Sequence, residues 1–202
     1  MSVAIIDYGM GNVASVQKAL NILSLESAVT KDFTEIDRSK YIVLPGVGSF
    51  NQGIANLKKD GLFDFLTEQV IKKKKPFLGI CLGMQLIASK GTEPFDTDGL
   101  NWIEGEVIKM DIQGKRIPHL GWNNIEPKND RYFFNLNIKD FYFIHSYHFK
   151  VNDVSHISST VNYGIEMVSS VQKENIFATQ FHPEKSQEAG LKLLKNFFEL
   201  NA

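Results

Sequence analysis

Pro76-Phe77-Leu78-Gly79-Ile80-Cys81-Leu82-Gly83-Met84-Gln85 is the stretch on which the fold and the chemistry of this chain turn. Apolar residues run into the only cysteine, with a glycine two positions before it and another two positions after. A helix-like run from Met84 to Ala88 follows. The pattern predicts a nucleophile elbow, in which a buried strand ends, the chain turns sharply and a helix begins. Flanking glycines let the backbone bend without a Cβ clash. A helix start beside the sulfur offers N–H groups and a positive dipole end, which favour a thiolate and an oxyanion. A lone buried cysteine can equally be a small hydrophobe, but the glycine brackets and the change from strand to helix favour a nucleophile at Cys81.

Outward from this stretch, 202 residues allow one domain with a sizeable core, and residues 1–202 are expected to form it. The net charge of −1 creates no field that would recruit nucleic acid or an acidic membrane surface. One cysteine leaves no internal disulfide and fits a reducing compartment. Val3-Ala4-Ile5-Ile6 meets Asp7 at once, so it does not read as a signal peptide. No apolar run approaches the ~20 residues that span a bilayer. These features predict a soluble, cytoplasmic protein.

In chain order, Val3 to Ile6 reads as a strand of a parallel sheet. The loop Asp7-Tyr8-Gly9-Met10-Gly11-Asn12 follows, then a helical pattern through Val13, Val16, Leu20 and Leu23. The loop lacks the third glycine of a dinucleotide fingerprint, so it reads as a strand-to-helix turn at a sheet edge. Tyr41 to Leu44 is a second buried strand, and it enters Pro45-Gly46-Val47-Gly48, a loop able to present N–H groups to an anion or to rearrange. Helices are expected around 50–58 and 61–73, the second ending in four lysines that complement its dipole before Pro76 stops it. Lys90 to Asn101 reads as a surface loop. From Gly105 onward short β-like runs predominate, at Glu106–Met110, Arg116–His119, Trp122–Ile125, Phe141–Ile144, Tyr147–Val151, His156–Val161, Ile165–Ser170 and Ile176–Gln180. Gln187 to Leu200 closes the chain as an amphipathic helix. The order of elements predicts one α/β domain.

A thiol nucleophile needs a base. Of five histidines, His182 stands out because it follows an apolar strand in Gln180-Phe181-His182-Pro183-Glu184. His-x-Glu geometry lets the carboxylate reach back to the imidazole, fixing its tautomer and stabilising the imidazolium. His148 and His156 read as surface or strand-end residues, and no His/Cys/Asp/Glu cluster has metal-site spacing, so neither metal nor cofactor is expected.

Gly79-Ile80-Cys81-Leu82-Gly83-Met84-Gln85 with Phe181-His182-Pro183-Glu184 resembles the signature of the class I (triad) glutamine amidotransferases. Asp7 to Asn12, Pro118-His119-Leu120-Gly121-Trp122-Asn123 and His145-Ser146-Tyr147 resemble one branch, the glutaminase subunits of imidazole glycerol phosphate synthases in histidine biosynthesis. The resemblance covers essentially the whole chain. It implies a central, mostly parallel sheet flanked by helices, with a smaller antiparallel element. It implies that Cys81 attacks the side-chain amide of L-glutamine, with His182 as base then acid and Glu184 orienting it. Leu82 and either Val47 or Gly48 would supply oxyanion N–H groups. Gln85, Glu93, His145, Ser146 and Tyr147 would contact glutamine. Ammonia would pass to a separate (β/α)8-barrel synthase subunit docked on a face that includes Asn12, Pro118, His119, Trp122 and Lys185. The chain departs from the family pattern at Leu120, where methionine is common, and between Thr92 and Glu104, which bears on Glu93. The same chemistry could serve a related synthase of surface-polysaccharide or nonulosonic-acid assembly. A thiol hydrolase is disfavoured by Gln85 and the His-Pro-Glu motif, and a non-catalytic module by the intact Cys81, His182 and Glu184.

Overall fold

Val3–Ile6, Tyr41–Leu44 and Phe77–Ile80 are apolar at nearly every position because alternate side chains enter different cores. Ala4, Ile6, Ile42 and Leu44 pack on one face of the sheet, whereas Val3, Ile5, Tyr41, Val43, Leu78 and Ile80 pack on the other. A strand covered by helices on both faces has no polar side to show. The computed structural model describes residues 2–129 and 131–202. The chain runs β1 (Ser2–Ile6), α1 (Val13–Ile22), β2 (Glu26–Thr30), α2 (Phe33–Arg38), β3 (Tyr41–Gly46), α3 (Phe50–Lys59), α4 (Leu62–Thr67) and β4 (Phe77–Cys81). It continues through α5 (Leu82–Gln85), β5 (Lys90–Gly91), β6 (Thr97–Asp98), β7 (Gly105–Lys109), β8 (His119–Pro127), β9 (Asp140–His145), β10 (Tyr147–Val151), β11 (Ile157–Asn162), β12 (Glu166–Lys173), β13 (Ile176–Thr179) and α6 (Gln187–Leu200).

Nine strands form the main sheet in the order β2-β1-β3-β4-β13-β12-β11-β8-β9. Pairing is parallel from β2 to β13 and antiparallel from β13 to β9. The sheet is therefore mixed, and much of the expected antiparallel element extends the main sheet. The small second sheet is β10-β7-β5-β6. Side chains of α1 and α6 fill one core, and those of α2, α3, α4 and α5 fill the other. Each fully buried aliphatic or aromatic side chain in these layers contributes about 1.5–3 kcal/mol by leaving water.

Several local expectations are corrected. β2 and α2 were not anticipated. β2 is a half-buried edge strand with a weak apolar pattern, and α2 has only six residues. The sequence did carry a signal for α2, because Asp32 caps it by accepting from the Glu35 N–H at 2.9 Å. The helix expected through residue 73 changes at Glu68–Lys72 into a wider π turn. Lys90–Asn101 is not purely a surface loop, because β5 and β6 pair there and Gly91 packs against the Phe50 ring. Arg116–Pro118 is not strand. Pairing starts at His119, opposite His145, and then runs unbroken to Pro127, merging two expected strands. His148 is buried in β10, its pKa held down mainly by that burial.

Candidate active site

The register of two parallel neighbours builds the site. β13 lies beside β4 with Ile176 opposite Phe77 and Thr179 opposite Ile80. The residues after Thr179 therefore emerge at the same sheet edge as Cys81. Gln180, Phe181 and His182 belong to one buried turn. That turn is stitched to β9: the His182 N–H donates to the Tyr142 carbonyl at 2.9 Å, and the Tyr142 N–H donates at 3.0 Å to the Ser186 hydroxyl, which itself donates to the His182 carbonyl at 2.6 Å.

Cys81 has φ 55° and ψ −107°, a left-handed conformation that a non-glycine residue seldom adopts. The bend expected of the flanking glycines is thus carried by the cysteine itself. The glycines serve close packing instead. A Cβ on Gly83 would collide with the Leu44 carbonyl oxygen, and one on Gly79 would meet the Gly83 carbonyl at 2.8 Å. The helix after the elbow begins at Leu82 and is a single turn, so its macrodipole is small and any help to the sulfur is local.

His182 Nδ1 lies 2.7 Å from Glu184 Oε1, and both side chains are buried. Pro183–Lys185 form a short 3₁₀ turn that brings the carboxylate back onto the ring. Among the described residues His182 Nε2 has no other hydrogen-bond partner, and the group it senses is the Cys81 sulfur. Burial disfavours the imidazolium, but the Cys81 sulfur and the Glu184 carboxylate outweigh it and raise the His182 pKa to about 10.

In front of Cys81 lies a cleft of about 360 Å³ lined by Val47, Gly48, Ser49, Leu82, Gln85, Glu93, Pro118, Ile144, His145, Ser146 and Tyr147. Every residue expected to contact glutamine or an oxyanion therefore borders one space. Glu93, despite its irregular surroundings in sequence, is held there because its Oε2 accepts from the Phe50 N–H at 3.1 Å; burial raises its pKa. Gly48 sits at φ +104°, while the Val47 N–H points to the Met10 carbonyl at 3.0 Å and not into the cleft. Sequence reasoning assigned no role to Ser49, Ile144, Gln180 or Tyr8. Gln180 Nε2 lies 3.7 Å from Cys81 Sγ. The Tyr8 hydroxyl is buried beneath the elbow with no hydrogen-bond partner among the described residues, and burial, with the Cys81 charge second, drives its pKa upward.

The expected docking residues divide by strand alternation. Along β8 the side chains of 120, 122, 124 and 126 face solvent, and His119 and Ile125 face inward. His119 is therefore not a surface residue. Its ring is sandwiched between Phe143 (4.6 Å between centroids) and Tyr163 (4.1 Å). Asn12, Pro118 and Trp122 are exposed, and the Lys185 ammonium lies 5.9 Å over the Tyr142 ring, beside Trp122. Exposed Leu120, Trp122 and Ile144 give the outer face of β8 and β9 an apolar surface. Among the described residues no group of three or more His, Cys, Asp or Glu side chains could hold a metal ion, and no helix is long and apolar enough to cross a membrane.

The fold, the elbow cysteine and the buried His–Glu pair are those of a glutaminase-type amidotransferase, and the sequence model of the glutamine amidotransferase class-I family matches residues 4–200. The chain belongs to that family. It is 47% identical over 201 residues to a Campylobacter jejuni protein named imidazole glycerol phosphate synthase subunit HisH 1, covering 98% of this chain and 100% of the relative. It is 44% identical over 208 residues to imidazole glycerol phosphate synthase subunit HisH of Pelagibacter ubique, covering 99% and 100%. Among solved structures, a glutamine amidotransferase superposes with a TM-score of 0.78 at 18% identity, covering 98% of both chains. The structure of PurLQS from Thermotoga maritima gives 0.77 at 18% identity, covering 100% of this chain and 99% of that one. These two share the fold.

Proposed function

We propose that this chain is the glutaminase subunit of an imidazole glycerol phosphate synthase, hydrolysing L-glutamine and passing ammonia to a (β/α)8-barrel partner in histidine biosynthesis. The observation that carries the chemistry is the buried 2.7 Å His182–Glu184 contact, with the free imidazole nitrogen beside an elbow cysteine. The names of relatives that match over their full length support the pathway.

His182 takes the Cys81 proton, and the sulfur attacks the side-chain amide carbon of glutamine. The resulting oxyanion is stabilised by N–H groups at Leu82 and the Val47–Gly48 segment. His182 then protonates the leaving nitrogen, ammonia departs, and a glutamyl thioester remains. Water, deprotonated by His182, hydrolyses it to glutamate and restores the thiol. Glu184 keeps the Nδ1 proton in place throughout.

The Val47 N–H faces the Met10 carbonyl, so the Gly46–Val47 peptide must rotate before it can serve an oxyanion. Met10 shares a loop with exposed Asn12, and the apolar surface of Leu120, Trp122 and Ile144 lies across the cleft. A barrel subunit seated on both would supply contacts present only in the rotated state. Ammonia release by the chain alone and with the barrel synthase and its phosphoribosyl ligand tests this. Low activity alone, a rise of about 10²-fold or more with both, and none in Cys81→Ala are expected. Full activity without any partner would sink the gating. Activation only by a different synthase would move the chain to another pathway.

A further inference from the structure

Two sets of hydrogen bonds converge on the Tyr147 carbonyl, and one of them reaches Cys81 through Gln180 rather than His182. Their polarity is set by two backbone carbonyls, which can only accept. At one end Asn123 Nδ2 donates to the Asn162 carbonyl at 3.0 Å and to His119 Nε2 at 3.3 Å. His119 therefore carries its proton on Nδ1 and donates to His145 Nε2 at 3.1 Å, and His145 Nδ1 donates to the Tyr147 carbonyl at 2.8 Å. That carbonyl also receives Gln85 Nε2 at 3.1 Å, which fixes which way the Gln85 amide points. The same Nε2 donates to Gln180 Oε1 at 3.0 Å. Only one orientation of the Gln180 amide remains, with Nε2 toward Cys81 Sγ at 3.7 Å. Gln180 is fully buried, and the adjacent Gln180 N–H is tied to the Ser169 carbonyl at 2.8 Å.

We propose that Gln180 is a preset hydrogen-bond donor to the Cys81 thiolate, a further catalytic residue whose amide is oriented by Gln85 and, through it, by the Tyr147 carbonyl. This rests on Cys81 being the nucleophile of the proposed reaction. Once His182 has taken the thiol proton, negative charge sits on a sulfur at a buried sheet edge. A donor aimed at it beforehand stabilises that charge without reorganisation, and more strongly than it would in water. An unanchored glutamine would offer sulfur either its oxygen or its nitrogen. The Tyr147 carbonyl at the start of β10, acting through Gln85, removes that choice.

Alkylation of Cys81 by iodoacetamide, followed across pH in the purified chain, reads the sulfur without glutamine or partner. The titratable groups around Sγ are His182 with Glu184, Tyr8 below the elbow, and His145, Tyr147 and Glu93 across the cleft. All of them are kept in Gln180→Met, which removes the donor, and in Gln180→Glu, which keeps the shape and the Gln85 contact but presents oxygen to sulfur. The pH midpoint of alkylation is expected to rise by about one unit in Gln180→Met and further in Gln180→Glu. With the partner bound, the glutaminase kcat is expected to fall about tenfold, with KM changed much less. An alkylation profile in Gln180→Glu that matches the parent chain overturns the inference, and the isosteric variant keeps that outcome open if Gln180→Met does not fold. Absence of glutaminase activity in the parent complex, with Cys81 alkylation still dependent on Gln180, would refute the proposed function and leave the donor standing.

Discussion

His182 and the His119–His145 pair are buried to nearly the same extent, at 2%, 2% and 6% exposure, yet their pKa values are driven in opposite directions. His182 is raised to about 10, whereas His119 is lowered to about 4 and His145 to about 3, both chiefly by burial. Burial acts on all three in the same direction. What differs is the partner. His182 meets a carboxylate and a sulfur, whereas His119 and His145 meet an amide nitrogen, each other and a carbonyl. One region is therefore built to exchange a proton, and the other to hold its protons still.

The sharpest way to break this contrast is Glu184→Gln. The amide has no charge to favour the imidazolium and can hold the wrong tautomer, so kcat with the partner is expected to drop by about 10⁴-fold, with little change in glutamine binding. The same variant loses part of an alkaline signature. A histidine raised from 6.5 to about 10 contributes stability that is complete below about pH 6.5 and lost as pH climbs through 10. Denaturant melts of the parent and the variant between pH 7 and 10 should show a shallower decline in Glu184→Gln.

The opposite sign is expected on the acid side. His119 and His145 stay neutral in the fold but protonate near pH 6.5 once unfolded, so the unfolded chain binds more protons below that point. Each lowers stability by about 1.4 kcal/mol per pH unit as pH falls toward its folded pKa. Glu93, raised by burial, partly offsets this near the lower end. Urea melts between pH 6 and 4.5 should show the decline, and His119→Phe should remove one histidine's share of the slope. An unchanged slope would mean that His119 is not held neutral.

The smallest expected effect comes from placing a carboxylate in the neutral region. Asn123→Asp would accept from His119 Nε2 and raise that pKa by about one unit, within the range of neighbouring opposite charges. Nuclear magnetic resonance titration of the His119 ring reads it directly. A shift of the same sign at His182 would contradict the separation of the two regions.

Much of this contrast was legible before any coordinates. Cys81 and His182 stood out because the elbow and the His-Pro-Glu turn place chemically apt residues next to conformational markers. β1, β3 and β4 were legible as continuous apolar runs. The strand alternation that sends His119 inward and Trp122 outward was also present, but the motif drew both onto one docking face. Gln180 carries no legible role in its motif, because a glutamine between a strand and a histidine gives no sign of what its amide touches. β5 and β6 left no pattern, being two residues each and specified only by what they pair with.

The sequence by itself determined the alternation of strands and helices, the nucleophile, and the histidine and carboxylate that serve it. These depend on local periodicity, turn chemistry and residue type, all of which act over a few positions. Only the tertiary structure decided that the strain sits at Cys81, that the Val47 N–H faces Met10, and that a distant backbone carbonyl, through Gln85, turns the Gln180 amide nitrogen toward the sulfur. Each of those depends on a group distant in sequence, brought near by sheet register and packing, and on a hydrogen-bond direction that no single segment contains.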